Sequence, residues 1–344
     1  MITVKAYAKI NPTLDILGRR DDGYHDIMSI MQTISLGDSL TFELDEGVTM
    51  RGLERAGLDP EDNLMLSAAI LLKQSSGCEK GIIVDYERHI PFSAGLGGGS
   101  SDAATILLVL NELWGIEWPV ERLAELAAEL GSDVTFFLHR GTALVQGRGE
   151  SVTPLPPLNE IWVVLLKPPI DITSKTRTLY QHVRQDHYSD GQPTRKLVRD
   201  ILIGQGVSSK DIYNSFDAVA FETFPSLNDY RQLMLDAGAE DVHLCGSGPA
   251  LFTLAADYER SVLLVQEETG GDWRSLGVVS AAYLQLVRRI LLVANTWNGD
   301  EGQKRRWQFF VPLFEHEDSR IRELAYLELG RAPYETLRRL GRSL

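Results

Sequence analysis

Between Pro91 and Ala104 the chain reads Pro-Phe-Ser-Ala-Gly-Leu-Gly-Gly-Gly-Ser-Ser-Asp-Ala-Ala, with four glycines among five consecutive residues (Gly95, Gly97, Gly98 and Gly99). A backbone without Cβ atoms can turn consecutive N–H groups toward one point. The run behind it, with apolar Ala103, Ile106, Leu107, Leu110 and Leu113, predicts a helix over 103–114, whose unpaired N–H groups and positive dipole end lie beside the same point. Phosphate binds well there. The loop has neither the GxxxxGK[ST] lysine of a Walker loop nor the acidic residue of a dinucleotide-binding βαβ unit. A mere flexible linker would not be clamped between Pro91 and an immediate apolar helix.

Two further groups could act on a phosphorylated ligand. Asp133, in Leu-Gly-Ser-Asp-Val-Thr-Phe-Phe, follows a helix-ending glycine and precedes an apolar run, a place where a carboxylate is held at a pocket wall. Residues alone leave two readings of it open, an ordinary helix N-cap or a group that takes a hydroxyl proton. Gly246, Ser247 and Gly248 form a second glycine turn. Taken by itself, Lys9 is a charged residue on an early strand.

The elements that must position these groups are mixed. Residues 1–60 alternate short β-rich runs (Thr3 to Ala8, Ile30 to Leu36, Ser39 to Leu44) with turn residues, which predicts a strand-rich opening sheet. Helices are expected over 63–73, 103–114 and 120–130, the last two ended by Gly115 and Gly131, with strands over 82–86 and 161–166. The polar, turn-rich segment 181–206 reads as a variable surface excursion. Helices at 217–224 and 227–237 and strands at 242–244 and 250–254 follow. The lack of a regular βαβ repeat predicts an α+β fold. Beyond about residue 281 the text is nearly all helical, and residues 300–344 carry nine Lys or Arg against eight Asp or Glu in a chain whose net charge is −14.

At 344 residues, two domains with an appendage are expected. The acidic balance disfavours nucleic acid or an anionic membrane as partner, since no basic excess is available to neutralise phosphates. Cys78 and Cys245, far apart, fit neither a disulfide framework nor a zinc site. No signal-length or membrane-length apolar segment occurs, so a cytoplasmic protein is expected.

Three segments carry a resemblance. Ala8-Lys9-Ile10-Asn11, the 91–104 loop, and Leu244-Cys245-Gly246-Ser247-Gly248-Pro249-Ala250-Leu251-Phe252 resemble, in order, the three signatures of the GHMP kinase superfamily. The resemblance implies a ribosomal-protein-S5-like N-terminal domain over 1–158 and a ferredoxin-like C-terminal domain over 159–285; outside it, a helical, HEAT-like extension is expected over 286–344. Pro91, Gly95, Leu96, Gly97, Gly98, Gly99, Ser100 and Ser101 would wrap the triphosphate of ATP, Asn63 and Leu64 would lie near its adenine, and Gly246, Ser247 and Gly248 would stand beside the phosphates. Lys9 and Asp133 match the catalytic lysine and aspartate. Mg²⁺ is implied as the partner of ATP, with Ser101 as a hydroxyl able to approach it.

Within the superfamily, Gly23-Tyr24-His25 is similar to the segment by which the diphosphocytidyl-methylerythritol kinases receive cytosine. Asn11, Tyr24, His25, Thr176 and Tyr180 match substrate positions there, with Tyr24 and Tyr180 on the two sides of the base. Homoserine and mevalonate kinases, or a non-catalytic nucleotide-binding protein on the same fold, are the alternatives. Gly23-Tyr24-His25 speaks against the first two, and the presence of both Lys9 and Asp133 against the third. The sequence departs from the pattern at Ser93, Thr135 and Cys245. The tail over 310–330 resembles one HEAT-type helical pair, which cannot bury both faces alone and so packs on the kinase, on a second copy or on another protein.

Overall fold

A computed structural model describes residues 1–54, 56–59, 63–168, 170, 175–255, 262–266, 273–278, 299–313, 316, 321–322 and 325. The chain divides into two compact units, one of residues 1–235 with 239–256, the other of 236–238 with 257–344.

The first unit opens with two long antiparallel strands, β1 (Ile2–Arg19) and β2 (His25–Asp45), rather than the three short runs expected. The turn residues within them do not end the strands. The Asn11-Pro12 pair falls where the β1–β2 register shifts, between Ile10 and Thr13, which is where a strand tolerates a proline that cannot donate to the ladder. Strand β3 (Val48–Arg51), helix α1 (Leu64–Ser76), strand β4 (Gly81–Glu87), and helices α2 (Gly98–Leu113), α3 (Val120–Leu130) and α4 (Ser132–His139) follow, then strands β5 (Thr142–Gly147) and β6 (Ser151–Pro154). One half of β2 pairs with β5 and the other with β4. Residues of both strands and of α1 to α4 fill one core, including Phe42, Leu72, Ile82, Leu107, Val134 and Phe136.

Next come β7 (Trp162–Leu166), α5 (Lys175–His182), α6 (Gln192–Leu202), β8 (Tyr213–Asn214), α7 (Phe216–Thr223), α8 (Ser226–Asp236), β9 (His243–Leu244) and β10 (Leu251–Ala255). Strands β7, β10 and β9 form a second sheet, while β8 joins the edge of the first by pairing parallel to β1. Segment 181–206 is not the surface excursion expected. Its helix α6 buries Thr194, Leu197 and Ile201, and the Thr194 hydroxyl donates to Thr13 Oγ1 at 2.8 Å. The polar text misled because those residues satisfy one another at a buried seam with β1.

In the second unit, β11 (Val262–Gln266) and β12 (Trp273–Val278) pair antiparallel, and helix α9 (Gly299–Phe310) continues into a short 3₁₀ turn. Most of the HEAT-like pair expected over 310–330 lies outside the described residues.

Candidate active site

Lys9 follows the first register shift of β1 and Asn11 lies in the second, and being two residues apart they sit on one side of the strand. The Lys9 ammonium donates to Asn11 Oδ1 at 2.8 Å and lies 3.6 Å from Asp133 Oδ2. Asn11 Nδ2 donates to Ser29 Oγ at 2.8 Å, and that hydroxyl donates to the Thr13 carbonyl at 2.6 Å. This chain fixes the amide so that its oxygen is left for Lys9. The lysine side chain is 5% exposed and that of Asp133 35%, so the ammonium stands behind a carboxylate that faces open space.

Asp133 is the second residue of α4, after an extended Gly131, and no side-chain cap bond is made at that end. Of the two readings left open by sequence, the N-cap is therefore the one the geometry does not support. The helix start still favours a negative charge there.

The glycine loop is tied to β1 at the lysine itself, Lys9 N donating to the Leu96 carbonyl at 2.9 Å. It is tied to the second turn as well, Ala250 N donating to the Ala94 carbonyl at 3.1 Å. Gly95 has φ +84°, and a Cβ there would overlap the Cys245 carbonyl oxygen. Gly246 approaches so closely that its Cβ would lie 3.0 Å from the Lys9 ammonium. Asn214 pins this second turn by donating to the carbonyls of Leu244 and Gly246, at 3.0 and 2.8 Å. Helix α2 begins at Gly98, five residues before the expected start, so its unpaired N–H groups belong to the glycine segment itself.

Beneath the loop is a cavity of about 350 Å³ lined by the loop, Asn63, Leu64, Arg88 and the Asp38–Tyr86–Asp102 group. Asn63 also caps α1, its Oδ1 accepting from Leu66 N at 2.9 Å. The Tyr86 hydroxyl lies 2.9 Å from Asp38 Oδ2 and 3.1 Å from Asp102 Oδ2, and one proton cannot serve both acceptors at once. Burial, then the neighbouring Asp38 carboxylate, holds the Asp102 carboxyl well above the usual range.

Aromatic rings gather on the other side. His25 stacks on Tyr180 with ring centres 4.8 Å apart and planes 18° apart, and Tyr188 and Phe216 meet this pair edge-on. Partial burial, then Arg19, lowers the His25 pKa and favours the neutral imidazole. Burial, then Asp133, pushes the Tyr180 phenol up to about 12. At the start of the same helix α5, the Thr176 hydroxyl meets Ser247 Oγ at 2.8 Å.

Such a site, a glycine loop beside a Lys–Asp pair with the lysine buried, has known counterparts. Residues 63–141 match the family model described as GHMP kinases N terminal domain, and residues 201–267 the one described as GHMP kinases C terminal. A 4-diphosphocytidyl-2-C-methyl-D-erythritol kinase of Dehalococcoides mccartyi is 44% identical over 258 residues, 75% of this chain and 90% of that protein. The enzyme of that name from Listeria welshimeri is 40% identical over 265 residues, 76% of this chain and 89% of its own. A crystal structure of 4-(cytidine 5'-diphospho)-2C-methyl-D-erythritol kinase superposes with a TM-score of 0.65 at 34% identity, over 74% of this chain and 90% of that one. The chain belongs to this family of GHMP kinases.

In the kinase, then, the three signatures meet as expected at one place. Pro91, Gly95, Leu96, Gly97, Gly98, Gly99 and Ser100 line the cavity, and Ser101 is buried in the first turn of α2. Tyr24 is the residue that the fold does not bring to its expected partner. Tyr24 is 59% exposed, with the Arg148 guanidinium 5.2 Å from its ring centre, and it is His25 that lies on Tyr180. The turn over 20–24 carries Tyr24 outward, whereas His25 is already the first residue of β2. Asp62, directly before Asn63, and Thr173 and Ser174, in the turn that leads to Thr176, lie outside the described residues.

Of the departures, Ser93 has φ 51° and Cys245 is fully buried, while the buried Thr135 hydroxyl has no hydrogen-bond partner among the described residues. Sequence reasoning missed Asp38, Tyr86, Arg88, Asp102 and Lys175. Of these only Asp102 carried a signal, an acid inside the glycine signature.

Proposed function

We propose that this chain transfers the γ-phosphoryl group of ATP to the 2-hydroxyl of 4-diphosphocytidyl-2-C-methyl-D-erythritol, a step in non-mevalonate isoprenoid precursor synthesis. The observation that carries the reading is Lys9, 3.6 Å from Asp133 and bonded to Asn11, directly against the second glycine turn. Phosphoryl transfer needs an oriented hydroxyl, a proton acceptor and positive charge at the transferring group. Asp133, half-open to the site, takes the hydroxyl proton as the acceptor oxygen–phosphorus bond forms and the bond from γ-phosphorus to the bridging oxygen breaks. Lys9 pairs with that carboxylate and faces the developing charge. The glycine loop and the first turn of α2 hold the triphosphate. His25 and Tyr180, with Tyr24 at the exposed rim, receive the cytosine.

Among the described residues no cluster of three or more His, Cys, Asp or Glu could hold a metal ion. The oxygen donors beside the loop are serine hydroxyls and the Asp38 and Asp102 carboxylates, which fits a magnesium ion that arrives on the nucleotide and keeps water and phosphate ligands. Ser101 is the residue that would hold it. When bound, the ion would neutralise phosphate charge; positioning the acceptor and moving its proton are left to Lys9, Asn11 and Asp133. No helix among the described residues is long and apolar enough to cross a membrane, and with the acidic balance this supports a cytoplasmic enzyme for small metabolites.

ADP release measured over a panel of alcohols tests the assignment. The diphosphocytidyl compound should exceed homoserine, mevalonate and phosphomevalonate by at least about 10³ in kcat/KM, the scale on which a site with polar readout rejects a wrong ligand. Comparable turnover of any of the other three would overturn it.

A further inference from the structure

Lys175 opens α5, the helix that carries Thr176 and Tyr180, and it is only 8% exposed. Its ammonium donates to the Ser93 carbonyl at 2.9 Å, so it reaches from the acceptor side of the site to the nucleotide loop. A buried ammonium normally has a carboxylate against it. Here the charged and titratable groups that act on it are Lys9 from β1, Lys167 after β7 and the Cys245 thiol of the second glycine turn. Two of these are cations. Among the described residues no carboxylate forms an ion pair with Lys175, while the neighbouring Lys9 has Asp133.

A buried ammonium that forms no ion pair with a described carboxylate, placed near two further cations and between two glycine turns built for phosphate, describes a site whose counter-charge comes with the ligand. The backbone supports the same conclusion. Ser93 is one of the described non-glycine residues with positive φ, and its carbonyl accepts the Lys175 ammonium. Next door Thr176 meets Ser247. The loop, the second turn and the start of α5 are thus tied at one point, beside Lys9.

We propose that Lys175 is a second phosphate-binding cation of the transfer site, held on the Ser93 carbonyl in the free protein and contacting the terminal phosphate of bound ATP. Resting on the kinase reading above, this gives α5 a part in both halves of the reaction, since Tyr180 on the same helix belongs to the acceptor pocket. Lys175 contributes charge and a hydrogen bond; the hydroxyl proton still goes to Asp133, and Lys175 keeps its own. Burial first, then Lys9 and Lys167, brings the ammonium down to about 7 in the free protein. A triphosphate placed against it raises that value again. Binding near pH 8 therefore takes up a proton.

The test uses the purified full chain and calorimetric titration with the β,γ-imido analogue of ATP and with ADP, both with Mg²⁺. Lys175→Met should weaken the triphosphate analogue roughly 10- to 100-fold, the worth of one charge-assisted hydrogen bond, and ADP much less. Titrations at pH 8 in buffers of different ionisation enthalpy should show proton uptake by the parent in excess of that by Lys175→Met. Lys175→Arg, which stays charged, should recover part of the triphosphate affinity. Equal weakening for both nucleotides, or none for either, would overturn the proposal. If Lys175→Met does not fold, the parent and Lys175→Arg still decide it: a parent that takes up no more protons than Lys175→Arg on binding the triphosphate analogue refutes it. Neither readout involves the acceptor, so a wrong acceptor assignment would leave this result standing, and failure here would leave the ADP-release comparison untouched.

Discussion

The sides of this site proposed to hold phosphate and base are built differently. On the phosphate side the parts are backbone turns and buried polar groups: Asn11 is fully buried, Gly95 abuts the Cys245 carbonyl, and Asn214 holds the second turn through two carbonyls. On the base side the parts are rings, with His25 on Tyr180 and Tyr24 turned outward. Side chains can be exchanged without moving the chain; turns packed against one another cannot. A fold made this way can keep its transfer chemistry while its acceptor changes.

The largest effects should come from the phosphate side. Asp133→Asn should lower kcat by about 10² to 10⁴, the range for a positioned acid–base group, with affinity for the ATP analogue kept. Lys9→Ala should behave alike, and the double variant should lose less than the sum because the two groups form one unit. Full additivity in steady-state kinetics would separate them. Gly95→Ala meets both the left-handed backbone and the Cys245 carbonyl, so nucleotide affinity should fall by at least about tenfold, as expected when a tight backbone approach is forced apart. An unchanged dissociation constant would show that the loop adapts, and would erase the contrast drawn with the base side.

Smaller losses are expected among the rings. Tyr180→Ala and His25→Ala should each weaken the diphosphocytidyl substrate by about 1–3 kcal/mol, one base–aromatic stack, and leave ATP affinity alone. Tyr24→Ala should cost less than either, its ring being exposed and already faced by Arg148. Calorimetry that ranks Tyr24 first would mean that the 20–24 turn folds inward over the base.

The smallest effect concerns stability without ligand. The Lys175 ammonium, at 10.5 in an unfolded chain and about 7 here, opposes folding wherever the unfolded chain holds the extra proton. That cost is fully present below pH 7 and fades as pH rises to 10.5. Lys175→Met should thus raise the melting midpoint at pH 6, and the gain should shrink at pH 9. A gain independent of pH would mean that packing, not charge, is responsible.

The sequence by itself determined the phosphate-binding chemistry, because backbone freedom is written in residue type: glycines before an amphipathic helix predict a phosphate loop wherever they fold. It also placed helices 63–73 and 120–130 within a few residues, since their periodicity and caps are local. Only the tertiary structure decided that β1 runs on through Asn11-Pro12, because a β-bulge there depends on the partner strand. It decided, too, that segment 181–206 is a buried seam, because Thr194 and Thr13 satisfy each other over 181 positions of chain. Lys175 was beyond sequence reasoning for the same reason. A lysine's role follows from the charges around it, and Lys9, Lys167 and Ser93 reach it from three distant segments.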